Sequence, residues 1–236
     1  MKEYLRDIYP DSKEEYFKLL DDDLQNNKKR FVVTVNPESV MLAEKNKILQ
    51  KILTDKNVSK TPDGIAVVKA CKKLDIPVTE RITGIDIATY LLKKLNENKK
   101  SLYLFGAKEE VIDVLVTKIK QEYPHIKIMG YTNGYVKDKD KVFKEIIKLK
   151  PDVCLVALGI PMQEELIYKY INQFKKGIFV GVGGSFDVLS GTKKRAPKFF
   201  IKLNLEWLYR IIKEPKRIKR FWNNNVKFIF KINNNK

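Results

Sequence analysis

Short apolar runs that do not alternate are what most restrict this chain. Residues 31–35 (FVVTV), 101–105 (SLYLF), 152–158 (DVCLVAL) and 177–182 (GIFVGV) are apolar almost throughout. A strand with one wet face carries a polar side chain at every second position, whereas a strand covered on both faces does not. A weaker strand pattern spans 126–131, and stretches of helical period separate these runs. They include 65–74, 85–95, a stretch ending at Glu122, another ending at Lys150, and 162–175. This alternation predicts an α/β fold, a Rossmann-like and mostly parallel sheet with helices on both faces. Between the first strand and the Pro62-Asp63-Gly64 turn the pattern predicts only helix, from Glu38 onward and over 48–54.

Charge divides the chain unevenly. Of a net charge of +18, most lies in residues 192–236, where 14 lysines and arginines face only Glu206 and Glu214. We therefore expect an α/β domain over 1–191 and a basic, helical appendage over 192–236. Arg210, Lys213, Arg217 and Arg220 recur there at helical spacing, interrupted by Pro215, beside Leu208, Ile211, Phe221, Trp222, Phe228 and Phe230. Such a segment suits an anionic membrane surface or a diphosphate. Nucleic acid is the rival partner; no nucleic acid is expected, because the core carries little excess charge and no recognisable nucleic-acid motif. Cys71 and Cys154 lie in apolar patterns and read as buried thiols. The single histidine, His125, leaves no His-based triad. Asp21-Asp22-Asp23 point in different directions on a polar helix and read as a solvated face rather than a metal site. With no apolar leader and no run of membrane-spanning length, the expected location is cytoplasmic, attached peripherally to the inner face of the membrane.

Parallel α/β sheets bind ligands beyond the carboxyl ends of their strands. Here those ends carry Thr34 and Asn36, Gly106, Gly134 and Tyr135, Gln163, then Gly183, Gly184 and Asp187. Glycines in these places either make tight turns or let a phosphate approach backbone N–H groups. Gly181-Val182-Gly183-Gly184 lacks the spacing of a dinucleotide fingerprint, which speaks against an oxidoreductase. Asp63 reads either as the cap of the helix that follows or as a carboxylate held at the sheet edge.

Seven stretches occur in order: Thr34-Val35-Asn36-Pro37, Pro62-Asp63-Gly64, Glu80-Arg81-Ile82-Thr83-Gly84, Leu104-Phe105-Gly106-Ala107, Gly159-Ile160-Pro161-Met162-Gln163-Glu164, Gly181-Val182-Gly183-Gly184-Ser185-Phe186-Asp187, and Glu206-Trp207-Leu208-Tyr209-Arg210 followed by Glu214-Pro215. Together they resemble the WecG/TagA/CpsF glycosyltransferases of bacterial surface-polymer assembly over nearly the whole chain. The resemblance implies an inverting, metal-independent enzyme that needs no cofactor. It would move N-acetylmannosamine from its UDP derivative to the 4-hydroxyl of N-acetylglucosamine on undecaprenyl diphosphate, in wall teichoic acid or related polymer synthesis. Relatives that use the mannosamine uronic acid or glucose leave the donor sugar open, and relatives that self-associate leave a homo-oligomer open. By the same resemblance Asp63 is the general base with Thr34 beside it, and Asn36, Arg81 and Gln163 contact substrate. Arg210, Arg217 and Arg220 complete the site from the appendage. Met162 departs from the family, which often has a basic residue there.

Overall fold

The computed structural model describes residues 1–234, and for Arg217 the backbone alone. Six strands are present: β1 Lys29–Val35, β2 Val58–Pro62, β3 Ser101–Gly106, β4 Lys127–Thr132, β5 Val153–Ala157 and β6 Gly177–Gly181. They pair in the order β2-β1-β6-β5-β3-β4, and every pairing is parallel. Every strand therefore ends on the same edge of the sheet.

Side chains of successive strand residues point to opposite faces. Phe31, Val33 and Val35 enter one apolar cluster with residues of helices Pro37–Ala43, Lys47–Thr54, Ile65–Lys73, Lys139–Leu149 and Met162–Tyr170. Val32, Leu104, Leu155 and Val180 enter the other, with helices Lys13–Gln25, Gly84–Glu97 and Glu109–Glu122. The central runs do not alternate in sequence because both faces are dry. Edge strand β4 is the contrast: its residues alternate between exposed and half-buried.

Two expectations need correction. Strand β2 (VSKTP) lies where only helix and turn were expected. A lysine and a proline among five residues read against a strand. The fold accommodates both at the sheet edge: Lys60 is fully buried, and its Nζ donates to the Asp55 carbonyl at 2.8 Å and lies 3.7 Å from Asp7 Oδ2. Burial lowers the Lys60 ammonium below its ordinary range, against the pull of Asp7 and Asp55. The second correction concerns the acidic run: Asp23 is not solvated but buried, and Arg30 grips it through Nε and through Nη2 at 3.1 Å.

The appendage forms helices Lys198–Lys202 and Glu206–Lys213, breaks at Glu214 and Pro215, and restarts as Arg217–Phe221. Proline cannot continue a helix because it lacks the N–H and crowds the preceding turn. A π-helical turn at Trp222–Val226 leads into the last helix, Lys227–Asn234. That helix buries Phe228 and Ile232 in the same cluster as Phe31 and Val33. Lys231 pairs with Glu44, and Lys73 Nζ donates to Asn233 Oδ1 at 2.6 Å. Among the described residues the appendage has no buried apolar cluster of its own, only aromatic contacts such as Trp207 stacked on Phe221. No described helix is long and apolar enough to cross a membrane.

Burying a phenylalanine contributes about 1.5–3 kcal/mol. Phe228→Ala is therefore expected to loosen the appendage while the sheet stays folded. Limited proteolysis within 192–234 should accelerate about tenfold or more, with little change in far-UV circular dichroism. Unchanged cleavage would show that Phe228 does not hold the appendage down.

Candidate active site

Asp63 comes to the sheet edge through the backbone. Its N–H donates to the Val35 carbonyl at 2.7 Å, which extends the β1–β2 ladder by one rung. The chain then turns through Gly64, whose φ of +111° lies in a region that L side chains rarely adopt. Gly64, not Asp63, occupies the N-cap position of helix Ile65–Lys73, and no side chain caps that helix. The capping reading of Asp63 is thereby corrected. Among the described residues no group donates a hydrogen bond to its carboxylate, so the oxygens are free for other work.

Thr34 and Asn36 stand at the end of the neighbouring strand. The Thr34 hydroxyl donates to the Gly181 carbonyl at 3.3 Å, which ties β1 to β6. Asn36 caps helix Pro37–Ala43: its Oδ1 accepts the Ser39 N–H at 3.0 Å, and Ser39 Oγ accepts the Asn36 N–H at 3.0 Å. The Asn36 Nδ2 protons remain without a partner among the described residues.

Gln163 lies under the loops that follow β5 and β6. It is buried, and its Oε1 accepts the N–H groups of Gly159 at 3.2 Å and Gly183 at 3.1 Å. Its Nε2 donates to Glu164 Oε1 at 2.7 Å. Both ends of the carboxamide are thus used inside the protein, in joining two glycine turns. The approach is close enough that a Cβ on Gly181 would sit 2.7 Å from Gln163 Nε2. Sequence reading passed over Glu164. It is buried with Oε2 unpartnered, and burial pushes its carboxyl up to about 7. Nothing in the local sequence, GIPMQEE, separates this buried glutamate from its half-exposed neighbour Glu165.

The other glycines follow β3, β4 and β6. Gly106 takes φ +128°, and a Cβ there would stand 2.3 Å from the Ala157 carbonyl oxygen, so only glycine fits between β3 and β5. Gly134 donates to the Ala107 carbonyl at 2.8 Å, and Tyr135 beside it is largely exposed. Gly183 and Gly184 face open space. Asp187, on helix Ser185–Leu189, pairs with Lys193 at 3.4 Å.

Arginines from three segments meet at Glu206, and two of them, Arg81 and Arg210, act on Asp63. Glu206, buried at the start of its helix, has Arg210 Nη2 2.8 Å from Oε1, Arg195 Nε 3.9 Å from Oε1 and Arg81 Nη2 3.5 Å from Oε2. Arg195 also pairs with Asp86 at 2.9 Å. Arg195, Asp86 and Glu206 were not among the expected site residues, since no motif spacing connects positions this far apart. Arg220 goes elsewhere and grips Glu38 through two bonds of 3.0 and 2.7 Å. The side chain of Arg217 lies outside the described residues. Burial raises the Asp63 carboxyl from 3.8 to about 6; Arg81 and Arg210 hold it down, while Glu206 and Asp86 push it up.

A carboxylate near neutral pH, glycine turns and guanidinium groups at one sheet edge are the parts of a site that deprotonates a hydroxyl next to a charged phosphate. The sequence profile of the Glycosyl transferase WecG/TagA/CpsF family matches residues 6–236, and the chain belongs to that family. A Bacillus subtilis (strain 168) protein is 46% identical over 189 residues, 80% of this chain and 73% of its own length. One from Bacillus spizizenii is 43% identical over 197 residues, 84% of this chain and 76% of its own. One from Staphylococcus aureus (strain MW2) is 38% identical over 209 residues, 88% of this chain and 81% of its own. All three bear the name N-acetylglucosaminyldiphosphoundecaprenol N-acetyl-beta-D-mannosaminyltransferase.

Because its folded-state value is raised from 3.8 to about 6, Asp63 favours the folded protein fully only below pH 3.8. That contribution is lost as pH rises through 6. Asp63→Asn removes the ionised form, so the variant is expected to be more stable than the parent well above pH 6, by about 3 kcal/mol. Below pH 4 the two should be equal. Denaturant melts at pH 4 and pH 8 test this, and equal stability at both would place the Asp63 carboxyl in water.

Proposed function

We propose that this protein transfers N-acetylmannosamine from UDP-N-acetylmannosamine to N-acetylglucosamine on undecaprenyl diphosphate, with inversion and without a metal. The observation that carries the reading is the Asp63 carboxylate, set at the sheet edge opposite Arg81 and Arg210 and titrating at about 6. Such a carboxylate is ionised at neutral pH yet basic enough to accept a proton from a sugar hydroxyl as it attacks the anomeric carbon. A single direct displacement inverts that carbon. The proton goes to Asp63, and the bonding pair of the broken glycosidic C–O bond leaves with UDP. Arginines and backbone N–H groups offset the charge that develops on the diphosphate, the work a divalent cation does in other transferases. The relatives' shared name supports the donor and acceptor. Wall teichoic acid or a related surface polymer is the proposed destination.

A polyprenyl acceptor requires the enzyme to work at a membrane surface. The appendage suits that place: Phe199, Trp222 and Phe230 are each more than 60% exposed, among the lysines and arginines of residues 192–234. Aromatic side chains with a basic surround favour the interface of an anionic bilayer.

With a panel of UDP-sugars and a lipid-diphosphate N-acetylglucosamine analogue, only UDP-N-acetylmannosamine is expected to turn over well. A chelator should leave the rate unchanged, and NMR of the product should show the anomer opposite to the donor's. Asp63→Asn should lower kcat about 10²–10⁴-fold; a folded variant at near-parental rate would remove Asp63 from catalysis. Binding to anionic vesicles should weaken with salt and with Phe199→Ser/Trp222→Ser/Phe230→Ser, and no binding at low salt would refute the membrane reading.

A further inference from the structure

Four charged groups near this sheet edge come from parts of the chain that are distant in sequence, and one carboxylate joins three of them. Arg81 lies in the loop before helix Gly84–Glu97, Arg195 at the start of the appendage before its first helix, and Arg210 on an appendage helix. All three guanidinium groups lie within 4 Å of Glu206. Glu206 is only 6% exposed, and a buried carboxylate is stable only with such partners. The fourth group, Asp86, sits in the first turn of helix Gly84–Glu97 and takes Arg195. Arg195 Nε is itself buried without a hydrogen bond, so this guanidinium is not saturated by the protein. Three arginines thus meet Glu206 and Asp86, and two of them, Arg81 and Arg210, also face Asp63. The cluster is neutral while Asp63 is ionised and becomes positive when Asp63 takes up a proton.

We infer that Glu206 is a positioning residue that gathers Arg81, Arg195 and Arg210 into one diphosphate-facing cluster and thereby couples the appendage to the core. Without it, three like charges would repel one another and turn toward water, because Glu206 is the one described carboxylate that pairs directly with both Arg81 and Arg210, whereas Asp63 acts on them only at longer range. The positive charge that the cluster gains as Asp63 is protonated arrives together with the negative charge of departing UDP. The inference rests on the reading of the site as one that binds a nucleoside diphosphate.

The sign of one measurement tests it. A negative charge beside a diphosphate repels it, so if Glu206 were a bystander, Glu206→Gln would bind UDP as tightly as the parent or more tightly. If Glu206 positions the arginines, the same isosteric change weakens UDP binding by about tenfold or more in calorimetric titration of the full chain. Glu206→Asp, which keeps the charge, should recover most of that loss. In the Glu206→Gln background, Arg81→Met should then add less than about twofold, because the two act through one contact. Equal or tighter UDP binding by Glu206→Gln, or losses that multiply with Arg81→Met, would overturn the inference. Should Glu206→Gln lose its circular dichroism signature, Arg81→Met and Arg210→Met serve instead: losses of UDP binding that fail to multiply support one cluster held by a shared carboxylate, and losses that multiply overturn the inference. A parent protein that does not bind UDP refutes the diphosphate reading instead, so the two failures are distinguishable.

Discussion

Because every strand pairing is parallel, the chain must return to the opposite edge of the sheet after each strand, and helices make those returns. The helices cover both faces, which demands strands that are apolar on both sides. The same constraint sends the ends of β1, β2, β3, β5 and β6 to one edge, together with the residues that follow each. Thr34, Asp63, Gly106, Gln163 and Gly183 are far apart in sequence and come to the same edge of the sheet for this reason. Gln163 and Thr34 then tie adjacent ends together through backbone groups, so the floor of the crevice is braced by hydrogen bonds rather than by apolar packing.

Over that floor the chemistry is a balance of charge. Burial pushes the Asp63 carboxyl up, and guanidinium groups from the core and the appendage bring it back toward neutrality. Neither influence alone suits a base: burial by itself gives a carboxyl that stays protonated, and arginines by themselves give one too weak to accept a proton. Glu206 takes part in both, since it holds the arginines and opposes ionisation of Asp63. The appendage is therefore tied to the site by charge at Glu206 and to the core by apolar burial at Phe228 and Ile232.

How much could be read in advance differs from element to element. The central strands were legible because a run such as DVCLVAL leaves only a doubly covered strand as its fate. Strand β2 was not, because an edge strand has one partner and tolerates Lys60 and Pro62. Asp63 and the glycine turns were found from their position after strands and from the family resemblance. Arg195, Asp86 and Glu206 were missed, since their meeting depends on how the segment after residue 191 folds back over the sheet. Asp23 misled for the opposite reason: three consecutive aspartates look solvated, and only the packing of helix Lys13–Gln25 against β6 and helix Gly84–Glu97 turns one of them onto Arg30.

By itself the sequence determined the α/β class, the sheet edge at which the candidate site residues lie, the basic character of the appendage and, through its motifs, the family. These depend on local pattern: apolar period, turn residues and charge density are properties of neighbouring positions. Tertiary structure alone decided that Gly64 rather than Asp63 caps the helix, that the Gln163 carboxamide faces inward, and that Arg220 goes to Glu38 while Arg81, Arg195 and Arg210 share Glu206. Those outcomes depend on desolvation and on distances between segments up to 182 residues apart, here Glu38 and Arg220. A pairing of charges becomes strong only where packing has first removed the water around it.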